Sequence, residues 1–440
     1  MKKSLIVILA LIITIFCVLP VFAADTSYPA IESEAAVLMD ARTGQVLYEK
    51  SMNEQLYPAS ITKIVTILLG LEYSNLNDVI TMSHQAIYSI DKGSSHIALE
   101  VGEQITMEQA LMAAMLPSAN EASNGIAEQI SGSIPEFAKL MNKRAAAAGA
   151  LHTNFANANG LPNDEHVTTA YDMAMITKEA LTNEQFRRIF ATQQYEIPPT
   201  NMKSKPRYFW TEHKMLKPGK YKYDGVIGGK TGYTKEAQCT LVTAARRGDR
   251  ELIVVVLKSL GSGVYNDTKT LLDYGFDEFN PTTIMLPAVS TDNLANPQDN
   301  LESAQKIINQ VKEIPYTWLL HKNVNVSDIA VDYASGDNPG VPNPQLKADI
   351  HLKNQSDLMY SNLGSIMLES LPNTTNTSNT WLSILIYIGL IIIKIIAAAT
   401  MLLFALRWFI RRKNKKRKRY GVIDTSFQRE TRINYNKNRG

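Results

Sequence analysis

Apolar residues recur along this chain in three rhythms, and each predicts a different kind of element. In EAAVLMDARTGQVLYEK, residues 34–50, two short apolar runs flank Arg42, Thr43 and Gly44, which reads as two strands around a turn. YPASITKIVTILLG, residues 57–70, then TMEQALMAAMLP, SIPEFAKLMNKRAAAAGA and TAYDMAMITKEAL carry the spacing of amphipathic helices. Pro58 stands near the first turn of the first of them, where a missing N–H is harmless. Later the rhythm changes. CTLVTAARR and ELIVVVLKS are β-branched strand sequences joined by the polar turn RGDR, and TKTLLDYGF closes the region as a helix. Strands at both ends with helices between predict an α+β domain over residues 28–278. The first hairpin is too short to stand alone, so it must join the late strands in one sheet.

Residues 279–372 have a different texture. DIAVDYA and LKADIHLK alternate as strands, and SAQKIINQVKE fits a helix or an amphipathic strand, so a small, mainly β domain is expected here. A polar linker follows at 373–380.

The third rhythm is uninterrupted apolarity, and it occurs twice. Residues 1–23 begin with Lys2 and Lys3, continue with an apolar run and end in small residues, which reads as a secretory signal peptide. An uncleaved anchor is the competing reading. Residues 381–406 are long enough to cross a bilayer core, with Lys394 near the middle as a cost. Residues 407–440 form a strongly basic tail, which marks that side as cytoplasmic. The expected topology is a single-pass protein with its bulk outside the cell membrane.

That layout changes the meaning of the net charge of +3. Without the tail, Lys2, Lys3 and Lys394, 29 basic residues face 40 acidic ones, so the outer portion is about −11. Charge-driven binding to nucleic acid is not expected of it. Of the two cysteines, Cys17 lies in the signal peptide, so Cys239 has no intrachain partner. In the alternating stretch QCTLVTAA it reads as a small buried hydrophobe rather than a nucleophile.

The candidate chemistry begins at Ser60 and Lys63. Residues i and i+3 share a helical face, so the lysine can serve as the serine's base, provided burial or a neighbouring cation lowers its pKa. Ser-x-x-Lys alone is a weak signal; Ser303 to Lys306 is a chance match. Two further pieces raise its weight. Ser118, Ala119 and Asn120 lie between predicted helices, and Lys230, Thr231 and Gly232 precede a strand. Ser-x-x-Lys, Ser-x-Asn and Lys-Thr-Gly, in that order, are the motif set of penicillin-binding proteins and class A β-lactamases.

With these motifs the sequence resembles the serine-type D-alanyl-D-alanine carboxypeptidases, the low-molecular-mass penicillin-binding proteins. YPASITKIVT, LPSANEASNGIAE, NANGLPNDEHVTTAYDMA and GGKTGYTKEAQCTLVTAA carry the resemblance. It implies a penicillin-binding, β-lactamase-like transpeptidase fold: an antiparallel sheet with a helical subdomain, then a β-rich domain and a carboxy-terminal membrane anchor. It implies peptidoglycan stem peptides as substrates, β-lactam antibiotics as covalent inhibitors, and no metal or other cofactor. Ser60 would be the nucleophile, Lys63 its base, and Ser118 a proton relay to the leaving amine. Asn120 would bind the substrate amide, Lys230 would lower the pKa of Lys63, and Thr231 would bind the terminal carboxylate. The Ser60 and Tyr233 backbone N–H groups would form the oxyanion hole, and Gly232 would let substrate lie close to its strand.

One departure stands out. Relatives often place an arginine shortly before the last helix, to help bind the carboxylate. Here that position falls near Val264 or Tyr265, leaving Lys258 or Lys269 as substitutes. His166 and Asp172 read as structural residues, since no further metal ligands stand at useful spacing. Other readings of the motif set are a β-lactamase, with Glu179 the nearest candidate for its base, a penicillin-sensing receptor and a non-catalytic wall scaffold.

Overall fold

A computed structural model describes residues 28–290, 294, 305–309, 315–336, 345–353 and 362–369. The signal peptide, linker, span and basic tail expected from the sequence lie outside the described residues. Among those described, no helix is long and apolar enough to cross a membrane.

The chain opens with the hairpin β1 (Ala35–Asp40) and β2 (Val46–Lys50). The helical region holds α1 (Lys63–Tyr73), α2 (His84–Tyr88), α3 (Met107–Met115), α4 (Asn120–Ser131), α5 (Ile134–Ala147), α6 (Ala170–Ala180) and α7 (Glu184–Ala191). Two small two-stranded antiparallel sheets accompany it, β3 (Val79–Thr81) with β4 (Gln104–Thr106), and β5 (Gln194–Ile197) with β6 (Arg207–Trp210). Then come β7 (Val226–Thr234), β8 (Gln238–Arg247), β9 (Arg250–Ser259) and the long helix α8 (Gly263–Glu278).

The main sheet has the order β2-β1-β9-β8-β7, with every neighbour antiparallel. The first and last segments of the domain therefore meet at β1 and β9, as the short hairpin requires. Every residue of β1 is buried because both faces of the sheet are covered. Val37, Met39, Ile253 and Val255 point into the core beneath the helical region. Ala36, Leu38, Leu252 and Val254 point into a second core beneath α8. This double coverage explains why β9 reads as continuous apolar sequence instead of alternating. Helix α3 starts as its sequence suggests: Thr106 and Gln109 form a capping box.

Strand β10 (Phe279–Ile284) pairs with β11 (Tyr316–His321), while β12 (Ile329–Gly336), β13 (Gln345–Leu352) and β14 (Asn362–Glu369) form a three-stranded sheet. They enclose a third core around Trp318, Tyr333 and Ile350. Of SAQKIINQVKE, residues 305–309 are described and are helical. Buried Gln45, in the turn between β1 and β2, clasps β11. Its Nε2 donates to Leu319 O at 2.7 Å, and Leu319 N donates to its Oε1 at 2.9 Å.

Candidate active site

Ser60 lies in a 3-10 turn, Ala59–Thr62, and helix α1 begins only at Lys63. This corrects the expectation that both residues ride one α-helix. Pro58 correspondingly caps the 3-10 turn instead of entering the helix. In a 3-10 turn residues three apart eclipse, so the spacing still works: Lys63 Nζ is 2.9 Å from Ser60 Oγ.

The turn is held under constraint. Ala59 has a left-handed φ of 50°. Its carbonyl accepts from Thr62 Oγ1 at 2.8 Å, and Thr62 Oγ1 is 2.8 Å from His166 Nε2. Because His166 Nδ1 accepts from Ala156 N, Nε2 carries the proton and donates to Thr62. Burial, helped by the charge of Lys63, lowers the His166 pKa to about 4, so this relay is neutral. Gly160 (φ +87°) presses on the same turn: a Cβ there would stand 1.9 Å from Ala59 O. Only glycine tolerates that approach.

Two more segments complete the cluster. Ser118, with a left-handed φ of 63°, sits between α3 and α4, and Asn120 is the first residue of α4. On β7, Lys230 Nζ donates to Ser118 Oγ at 3.0 Å and to Thr231 O at 2.9 Å. Lys63 Nζ is 2.8 Å from Asn120 Oδ1 and 2.6 Å from Asn159 O. A Cβ on Gly232 would lie 2.9 Å from Ser60 N, so β7 runs directly against the Ser60 amide. Tyr233 contributes backbone to this edge, its side chain 70% exposed.

Both lysines are almost fully buried, at 0% and 1% exposure for Lys63 and Lys230. Burial, then the charge of Lys230, holds Lys63 well below the ordinary lysine range, while Glu212 and Glu121 oppose the shift. Burial lowers Lys230 to about 8, again opposed by Glu212. A neutral Lys63 has two N–H donors and one lone pair. Asn120 and Asn159 accept the donors, so the lone pair faces Ser60 Oγ, the geometry of a base waiting for a hydroxyl proton. The same three motifs that stand far apart in sequence thus meet within hydrogen-bond reach. The family model for D-alanyl-D-alanine carboxypeptidase matches residues 22–260.

The chain belongs to the D-alanyl-D-alanine carboxypeptidase family. It is 34% identical to D-alanyl-D-alanine carboxypeptidase DacF of Bacillus subtilis, over 72% of this chain and 80% of that one. A D-alanyl-D-alanine carboxypeptidase from Mycobacterium tuberculosis has a similar structure, with a TM-score of 0.53 and 27% identity over 58% of this chain and 95% of that one. The DD-transpeptidase of Streptomyces strain K15 matches with a TM-score of 0.53 and 30% identity, over 57% of this chain and 98% of its own.

Against this family background the remaining sequence candidates can be placed. Val264 and Tyr265 lie inside α8, not before it, and both are buried. The two proposed substitutes for an arginine are engaged elsewhere: Lys258 pairs with Glu34 at 2.8 Å, and Lys269 pairs with Asp273. Asp172 accepts from His152 N and Thr153 Oγ1, both at 2.7 Å, which pins a loop. Glu179 lies in α6 and pairs with Arg144 at 2.9 Å, so this carboxylate is committed to an ion pair. Cys239 is half-buried in β8, and burial pushes its thiol pKa up, away from a nucleophile's range. Sequence reasoning missed Asn159 and Gly160. The NG pair in NANGLP signals a turn, but not that its carbonyl would reach Lys63. It also missed Glu212, for which the sequence carries no signal.

Proposed function

We propose that Ser60 of this D-alanyl-D-alanine carboxypeptidase attacks the carbonyl between the two terminal D-alanines of a peptidoglycan stem peptide. Lys63 takes the Oγ proton as the C–O bond forms, and the Ser60 and Tyr233 amides receive the oxyanion. As the C–N bond breaks, Ser118, with Lys230 beside it, passes its proton to the departing amine, and the proton that Lys63 took from Ser60 replaces it, so Lys63 is neutral again. Lys63 then serves as base for the water that cleaves the ester and frees Ser60. Asn120 uses Oδ1 on Lys63 and keeps Nδ2 for the substrate amide. Thr231 binds the terminal carboxylate. The observation that carries this reading is the Lys63 amine, 2.9 Å from Ser60 Oγ and fully buried.

Penicillins enter the same acylation step and become covalent inhibitors. A penicillin acyl group keeps its leaving nitrogen tethered, where it blocks the incoming water, and Glu179 is tied to Arg144. With the full chain in detergent, D-alanine is expected to be released from a diacyl-D-Ala-D-Ala peptide over many cycles, while a penicillin adduct lasts minutes or longer. Equally rapid turnover of penicillin would support a β-lactamase. A stable adduct without peptide hydrolysis would support a receptor.

The sequence also supports export through residues 1–23, anchoring through 381–406 and a cytoplasmic tail at 407–440. The catalytic domain then works on the outer face of a bacterial cytoplasmic membrane. Protease added to intact cells is expected to digest the chain up to about residue 380 and spare the tail; cleavage of the tail from outside would reverse the orientation.

A further inference from the structure

An acid stands where this reading brings an anion. Glu212 lies just beyond β6, exposed to solvent, and its Oε2 is 3.5 Å from Thr231 Oγ1. That hydroxyl is the group assigned to the substrate's terminal carboxylate. A carboxylate arriving at Thr231 therefore meets a second carboxylate within a few ångströms. The nearby Lys214 is drawn to aromatic faces, 5.5 Å from the Tyr265 ring and 5.8 Å from the Tyr221 ring. Lys230, though cationic below pH of about 8, is committed to Ser118 and the Thr231 carbonyl.

We infer that Glu212 is a specificity-determining residue that opposes the free terminal carboxylate and widens the site to leaving groups with an uncharged terminus. Such leaving groups include an amidated D-alanine or a residue from which a peptide chain continues. This inference rests on the assignment of Thr231 to the carboxylate. Two unit charges about 4 Å apart in water interact by an amount equivalent to roughly a fivefold change in binding. An exposed acid at this distance thus reduces acid-over-amide preference without abolishing it.

The test compares matched diacyl-D-Ala-D-Ala peptides ending in a free acid or an amide, using the full-length protein, Glu212→Gln and Thr231→Val. In Glu212→Gln the KM for the acid is expected to fall roughly fivefold, with the amide's KM changing much less. The split between the two substrates is the readout. Loss of Glu212's influence on Lys63 and Lys230 alters the chemical step for both peptides alike, so it does not imitate that split. Equal shifts for acid and amide, or none for either, would overturn the inference while leaving Thr231 in place. If Thr231→Val leaves the acid-to-amide ratio unchanged, the carboxylate assignment itself fails, and the inference fails with it.

Discussion

Ser60→Ala is expected to abolish both D-alanine release and covalent labelling by a fluorescent penicillin. The loss should be on the order of 10⁴-fold or more, because the acyl bond is expected to form on the Ser60 oxygen. The substitution removes one oxygen from the turn. The Thr62 and His166 contacts that hold the turn, and the Asn120 and Asn159 contacts that hold Lys63, all remain. A folded but inactive protein is therefore expected, with an unchanged denaturation midpoint. Labelling that persists on another serine would overturn the assignment.

The second large effect concerns the base. Arginine cannot be deprotonated in a protein, so Lys63→Arg puts a permanent cation in place of a neutral amine and loses the lone pair that faces Ser60. A fall in kcat/KM of roughly 10²–10⁴ is expected. The wild-type pH profile should follow the two lysines. Lys63 must be neutral to accept the proton, so activity is present above its lowered pKa and lost as pH falls through it. Lys230 should be charged beside Ser118 to support proton delivery to the departing amine, so activity should decline as pH rises through about 8. The two limbs give a bell in kcat/KM. A wild-type profile without the acid limb, or a Lys63→Arg enzyme of near-normal rate, would remove Lys63 from the role of base.

The three motifs and the sheet were legible in the sequence because each is written in local terms. Ser60 and Lys63 meet through a spacing that brings them together in either a 3-10 turn or an α-helix. The β-branched runs of β8 and β9 demand burial, and only a strand that meets β1 supplies it. What was not legible depends on partners distant in sequence. The left-handed Ala59 that delays the start of the helix is shaped against Gly160, about a hundred residues on. The second acceptor for Lys63 is the Asn159 backbone carbonyl, and a carbonyl has no side-chain signature. Lys258 looked available for carboxylate binding because its partner, Glu34, lies 224 residues earlier.

The Gln45 clasp has a mechanical meaning. Its amide imitates a piece of backbone, making one donor and one acceptor bond to the same residue, Leu319. A pull on β11 is therefore not borne by its pairing with β10 alone. Part of the load passes into the β1–β2 turn, and from there into the five-stranded sheet, where β1 is hydrogen-bonded along both edges. There, tension would have to shear several rungs at once instead of opening them one by one. Strain arriving through β11 would thus enter the sheet at β1, with β9 and β8 standing between it and β7, the strand that lies against Ser60.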